Sequence, residues 1–178
     1  LTFRYCHCES LVAMLKYQYT NFVIVMVGVG LLALSVRPKT PRLLYNPSES
    51  APIGWYLLEP THTYHVGDHV AVYLNENAAR LAVGRDYILP NIPVIKTIAA
   101  GPGSRYCVSH QLLTIGTDWQ VSMDLFDRHG REMPRLPAGC TRLLDGEFLV
   151  LSDRTQQSFD SRYFGSVHAS NVLGTVKY

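Results

Sequence analysis

The sequence predicts a mostly β domain, built as antiparallel sheets or a partly closed barrel, behind one N-terminal transmembrane helix. Three observations point there. Between Lys16 and Arg37 lie 20 residues without a charge. Beyond them, short runs rich in Val, Ile and Tyr are bounded by Gly, Pro, Asn and Asp, which is strand punctuation. No long 3.6-residue periodicity and no internal repeat appears in that part.

At 178 residues the chain suits one domain, or one domain with an anchor. Charged residues make up 17% and hydrophobic residues 47%. A disordered chain would be poorer in apolar residues and richer in net charge, so disorder is excluded. With 16 Lys and Arg against 14 Asp and Glu, the net charge is +2. A nucleic-acid binder of this size would carry a larger basic excess, so no nucleic-acid partner is expected.

The uncharged stretch is read as a transmembrane anchor over residues 17–36, after a cytoplasmic N-terminal segment, 1–16. Twenty helical residues span about 30 Å, the thickness of the hydrocarbon core. Tyr17 and Tyr19 stand where an aromatic belt would. A buried core helix would carry polar punctuation, and a cleaved leader would not place Lys16 so far along. Arg37, Lys39 and Arg42 follow the stretch, and Arg4 and Lys16 precede it. Charge alone therefore leans toward a cytoplasmic C-terminal part.

Residues 37–42, with Pro38 and Pro41, read as an extended linker. The remaining domain, 43–178, is long enough for one core. Its strand candidates are Gly54 to Leu58, His69 to Leu74, Pro93 to Ala99, Glu147 to Leu151 and Val172 to Tyr178. The best helix candidate is Glu76 to Val83.

Four cysteines are too few for a disulfide scaffold. Cys6–His7–Cys8 looks like half a metal site, but no second ligand pair completes it. Cys107 and Cys140 are either two buried thiols or a disulfide; an oxidising compartment would keep the latter. Seven histidines invite a Ser-His-Asp search, yet no GxSxG elbow exists and none has an evident partner. HExxH, Walker A, GxGxxG and SxxK are also absent.

Lys96 is anomalous. It lies inside the apolar run Ile92 to Ala100, with no acidic residue within six positions on either side. On a buried strand face its charge is costly, its pKa falls, and the neutral amine becomes a base. Such a lysine can take the proton of a serine hydroxyl, the Ser-Lys form of nucleophilic catalysis. Ser50 is a suitable partner, in a Pro-flanked irregular turn just before a strand. A solvent-facing strand lysine is the competing reading.

Three segments occur in order after the anchor: Ser50-Ala51-Pro52-Ile53-Gly54-Trp55-Tyr56, then Lys96-Thr97-Ile98-Ala99-Ala100-Gly101-Pro102-Gly103, then Ser158-Phe159-Asp160-Ser161-Arg162-Tyr163-Phe164-Gly165. Together they resemble the type I signal peptidase superfamily and, within it, the conjugative-transfer (TraF-type) branch. The resemblance covers roughly Tyr45 to Tyr178. It departs from the general signal peptidases at Ala51, where they carry Met, at Gly103-Ser104, where they carry Gly-Asp, and at Ser152-Asp153-Arg154, which lacks their Gly and Asn.

The resemblance implies a signal-peptidase-like fold, Ser50 as nucleophile and Lys96 as general base. It makes Ser158 the hydroxyl that orients the lysine and Ser48 the side-chain oxyanion donor beside the Ser50 N–H. Asp160 and Arg162 are implied as a supporting ion pair, with Asp160 also a candidate in substrate handling. It places the catalytic domain in the periplasm, anchored in the bacterial inner membrane by a single pass, which agrees with a Cys107–Cys140 disulfide. The implied partners are that membrane and a membrane-bound precursor peptide, a pilin subunit. The implied reaction is endoproteolysis through an acyl-enzyme, resolved by water or, with cyclisation, by an amine. No metal or organic cofactor is required. The rival readings are a housekeeping signal peptidase with broad preprotein substrates and a non-catalytic anchored β-domain of a secretion or conjugation assembly.

Overall fold

The computed structural model describes the backbone of residues 6–35 and of 42–178 except 118; within the first helix it describes the side chains of 14–31. The chain divides into two units, 1–39 and 40–178. The first holds one helix, α1 (Cys6–Ser35). Among the described residues no helix is long and apolar enough to cross a membrane. The transmembrane anchor expected over 17–36 is thus not found as a membrane-spanning helix among them, and the side chains of its end, 32–36, lie outside the described residues. So do Cys6, Cys8 and most of the 37–42 linker.

The second unit is two antiparallel sheets. Its strands are β1 (Leu43–Asn46), β2 (Gly54–Glu59), β3 (His69–Val72), β4 (Val94–Ala100), β5 (Arg105–Ser109), β6 (Leu112–Ile115), β7 (Trp119–Ser122), β8 (Gly139–Arg142), β9 (Glu147–Leu151), β10 (Val167–His168) and β11 (Val172–Lys177). The larger sheet has the order β1-β2-β11-β3-β4-β9-β10, and the smaller one β7-β6-β5-β8. Each of the five expected strand runs became a strand, and the expected helix is α2 (Glu76–Gly84). The Asn75 side chain caps α2 by accepting from the Ala78 N–H, and Ala78 and Ala82 face inward.

The middle of the larger sheet is covered on both faces. In β4 every residue after Val94 is buried, as expected of a strand that is apolar throughout rather than alternating. Val70, Val72, Ile98 and Val150 pack in one cluster; Ala71, Ile95, Tyr56, Leu58 and Val176 pack in another with Ala51. Where β11 joins β3 the register shifts between Val172 and Gly174. Gly174 has φ +154°, and a Cβ there would collide with the Glu59 carbonyl oxygen, so the bulge requires glycine.

The smaller sheet was not anticipated. Its strands have four or five residues, and β8, Gly-Cys-Thr-Arg, is exposed throughout. Cys107 and Cys140 face each other across β5 and β8 and are joined by a disulfide. The loop between β7 and β8 is pinned by Asp127, which accepts from Tyr87 Oη at 2.6 Å, Arg131 Nε at 2.7 Å and the His129 and Arg131 backbone N–H groups. Desolvation opposes its charge, but these donors outweigh it and hold the carboxyl well below the usual carboxylate range.

Candidate active site

The Ser50 turn is built by Asn46, the last residue of β1. Its side chain is buried, and Nδ2 donates to the carbonyls of Ser48, Ala51 and Pro52 at 2.8, 3.0 and 3.0 Å. Its Oδ1 accepts from the Ser48 N–H at 3.2 Å and from Ser48 Oγ at 3.0 Å. Tyr56 Oη closes the far side by donating to the Pro52 carbonyl at 2.8 Å. Buried backbone groups that no ladder can satisfy are thus satisfied by side chains. Ala51 packs into the core beneath, while Ser50 remains partly exposed.

Ser50 Oγ lies 2.9 Å from Ser48 Oγ. A hydroxyl carries one hydrogen, and that of Ser48 goes to Asn46 Oδ1. Ser50 is therefore the donor of the pair. Both hydroxyls are committed within the turn in this resting arrangement.

Lys96 sits in β4 opposite Val70 of β3. It is 4% exposed, so the solvent-facing reading fails. Burial lowers its pKa to about 8; the neighbouring Asp160 and Asp153 oppose this, and Arg162 reinforces it. Lys96 Nζ donates to Ser158 Oγ at 2.7 Å, and Ser158 is itself buried. The structure thus brings Lys96 to Ser158 and Ser50 to Ser48, and no hydrogen bond joins the two pairs among the described residues.

What links them is Ser152, the residue after β9, which sequence reasoning did not single out as a site. Its Oγ donates to the Ser50 carbonyl at 2.7 Å, and its N–H donates to Asp160 Oδ2 at 3.0 Å. Asp160 also caps the short helix α3 (Ser161–Phe164) and meets Arg162 Nε at 2.8 Å. That ion pair is almost wholly buried, at 0% and 1% exposure. Arg162 Nη1 reaches on to the carbonyls of Ser122 and Gln156. Each member of this buried network has partners, the condition under which such a network is tolerated.

His69 also has a partner that sequence did not reveal. Its Nδ1 lies 2.9 Å from Thr97 Oγ1, which donates to Asp153 Oδ2 at 3.3 Å. Since the single threonine hydrogen is spent on Asp153, Nδ1 carries the proton toward Thr97. The signals that could have found these residues are faint. Asn46-Pro47 is a turn dipeptide, whereas His69, Thr97 and Asp153 are far apart in the chain and meet only through strand register.

The family model described as signal peptidase, peptidase S26, matches residues 14–178. The chain belongs to that family. As a member of this signal peptidase family of serine peptidases, it is similar to the conjugal transfer protein TraF of Agrobacterium fabrum, 28% identical over 74% of this chain and 78% of that protein. It is also similar to a probable conjugal transfer protein TraF of Sinorhizobium fredii, 30% identical over 75% of this chain and 73% of that one. A crystal structure of a signal peptidase I from Enterococcus faecalis aligns with 65% of this chain and 97% of its own, at 20% identity and a TM-score of 0.37.

Proposed function

We propose that the protein is a membrane-anchored serine endopeptidase in which Ser50 is the nucleophile and Lys96 the general base, and that it processes a precursor of the conjugative apparatus, a pilin subunit. The observation that carries this reading is Lys96: buried, held by Ser158 at 2.7 Å, with a pKa lowered to about 8. At pH 7 about one molecule in ten then has the neutral amine, against fewer than one in a thousand for a free lysine. The TraF names of the relatives support a place in conjugal transfer. The uncharged stretch 17–36 supports an anchor, and the Cys107–Cys140 disulfide supports a domain on the oxidising, periplasmic side.

In this mechanism a substrate strand brings its carbonyl to Ser50. The Ser50 hydroxyl leaves Ser48 and gives its proton to Lys96 as Oγ attacks. Ser48, freed to rotate from Asn46, and the Ser50 N–H donate to the oxyanion; one such donor is worth about 3 kcal/mol in the transition state. Ser158 keeps the amine aimed throughout. Lys96 then protonates the leaving amine, and an acyl-enzyme on Ser50 remains. Water resolves it to a linear product, or an amine of the same chain resolves it to a cyclic one.

Ser50→Ala and Lys96→Ala each lower turnover by at least about 10³-fold while the fold persists, because loss of either member disables the pair. Precursor processing that survives both substitutions refutes the dyad. Mass spectrometry of the product separates the two outcomes: a mass lower by one water than the linear chain identifies cyclisation.

A further inference from the structure

The Ser50 turn and the Lys96 strand come from distant parts of the chain. A Ser-Lys pair works only if the two are held in one frame, since misplacement on the order of 1 Å costs about a hundredfold in rate. Asn46 and Tyr56 fix the turn internally, but both belong to the β1–β2 segment and cannot relate it to Lys96. Asp160 and Arg162 fix the loop that carries Ser158, but neither reaches the turn by a hydrogen bond among the described residues.

We propose that Ser152 is a positioning residue whose hydroxyl, by donating to the Ser50 carbonyl, sets the backbone of the nucleophile relative to the lysine. Five observations carry this. The bond is short, 2.7 Å, and spans 102 residues of sequence. Ser152 is itself 8% exposed, so little water competes for the contact. Its hydroxyl has one hydrogen, and Ser50 receives it, while its lone pairs accept the N–H groups of Arg154 and Thr155, each at 3.3 Å. Its own N–H is tied to the buried Asp160 carboxylate at 3.0 Å. Ser152 directly follows Leu151, whose strand partner is Thr97, the neighbour of Lys96. One residue is therefore fixed to the lysine strand by register, to the ion pair by its N–H and to the nucleophile by its side chain. A carbonyl held in this way restrains ψ of Ser50 and thereby the region its Oγ can sweep. Glycine or alanine at 152 would keep the strand and the Asp160 bond but release the turn.

The inference rests on the dyad proposed above, and the experiment separates the two. Full-length wild type, Ser50→Ala, Ser152→Ala, Ser152→Gly and Ser152→Thr are compared on a fluorogenic peptide with alanines before the scissile bond. Activity that survives in Ser50→Ala refutes the dyad itself. With Ser50→Ala inactive, Ser152→Ala and Ser152→Gly are expected to lower kcat about tenfold. KM should stay within about twofold, because the substitution removes only the hydroxyl bonded to the Ser50 carbonyl. The acid limb of the pH–kcat profile should not move, because Lys96 keeps Ser158. Ser152→Thr, which keeps the hydroxyl, is expected to recover most of the rate. Wild-type kcat in the alanine or glycine variant overturns the proposal. So does a loss that falls on KM or moves the acid limb, which would assign Ser152 to substrate binding or to the lysine. Loss of a cooperative melting transition in both hydroxyl-free variants also overturns it, since Ser152 would then serve the fold alone.

Discussion

The two sheets are stabilised in different ways. The seven-stranded sheet carries the candidate site and draws its stability from burial. Its central strands are covered on both faces, and Lys96 on β4 and the polar residues that follow β9, Ser158, Asp160 and Arg162, are buried with partners. The four-stranded sheet has short strands, one of them exposed throughout; it buries Val108 and Leu113 on one face and adds a covalent cross-link and the Asp127 cluster at its margin. Burial from water lowers the lysine pKa and leaves more of the amine neutral near pH 7, so the chemistry sits in the deep sheet. The smaller sheet packs its buried face against Leu149 and Leu151 of the larger one, and the disulfide ties its exposed edge strand β8 to β5.

The sharpest way to break the first half of this comparison is at Asp160. Asp160→Ala strands the Arg162 guanidinium in the core at 1% exposure and removes the acceptor for the Ser152 N–H. The expected cost is about 3–5 kcal/mol of unfolding free energy, the usual penalty for orphaning one member of a buried pair. A urea titration checks it through a fall in midpoint, with processing activity lost at the same time. A midpoint unchanged from wild type would mean that the network is ornamental to the fold.

The second half is tested by removing the staple. The disulfide closes a loop with a sequence separation of 33. Cys107→Ser with Cys140→Ser should cost about 2–4 kcal/mol, mainly by freeing the unfolded chain. Thermal melts with and without reductant measure it. Wild type under reductant should match the double variant, and kcat of the folded fraction should stay close to wild type, because no site residue lies on β5 or β8.

How much of this was legible in sequence follows the same division. Strands such as Val94–Ala100 and Glu147–Leu151 announce themselves because a doubly buried strand is an unbroken apolar run. Lys96 is legible for the same reason, as the one charge inside such a run. The smaller sheet is illegible because Gly139–Arg142 has no apolar period to read and is defined only by pairing with β5. Ser152 and Asn46 are illegible as site residues for another reason. Their roles lie in hydrogen bonds to backbone carbonyls, which neither composition nor spacing encodes.

Lys96 itself sharpens the comparison, because the deep sheet bears a cost to hold it. Its folded pKa, about 8, lies below its ordinary value of 10.5. Between these values the unfolded chain binds more protons, so stability rises with pH through that window and the full cost is carried below it. That cost is about 3 kcal/mol, reduced where Ser158 shares the amine. Lys96→Met is therefore expected to raise the melting temperature at pH 7 and to abolish turnover. The gain should shrink as the pH is raised toward 10. A variant that melts lower than wild type at pH 7 would show that the Ser158 contact outweighs desolvation.

The smallest expected effect isolates burial as the variable. Arg135 and Glu132 form an ion pair with the same chemistry as Arg162 and Asp160, at 3.0 Å against 2.8 Å. Their side chains, however, are 61% and 66% exposed, on a loop between β7 and β8. In water the attraction is screened and the freed side chain regains its rotamers, so Arg135→Ala should change stability by about 0.5 kcal/mol or less. The measurement is the same urea titration, run beside Asp160→Ala and repeated at high salt, where any residual effect should vanish. If the exposed pair cost as much as the buried one, burial would not be what separates the two sheets, and the reason for housing the lysine in the deeper one would fail with it.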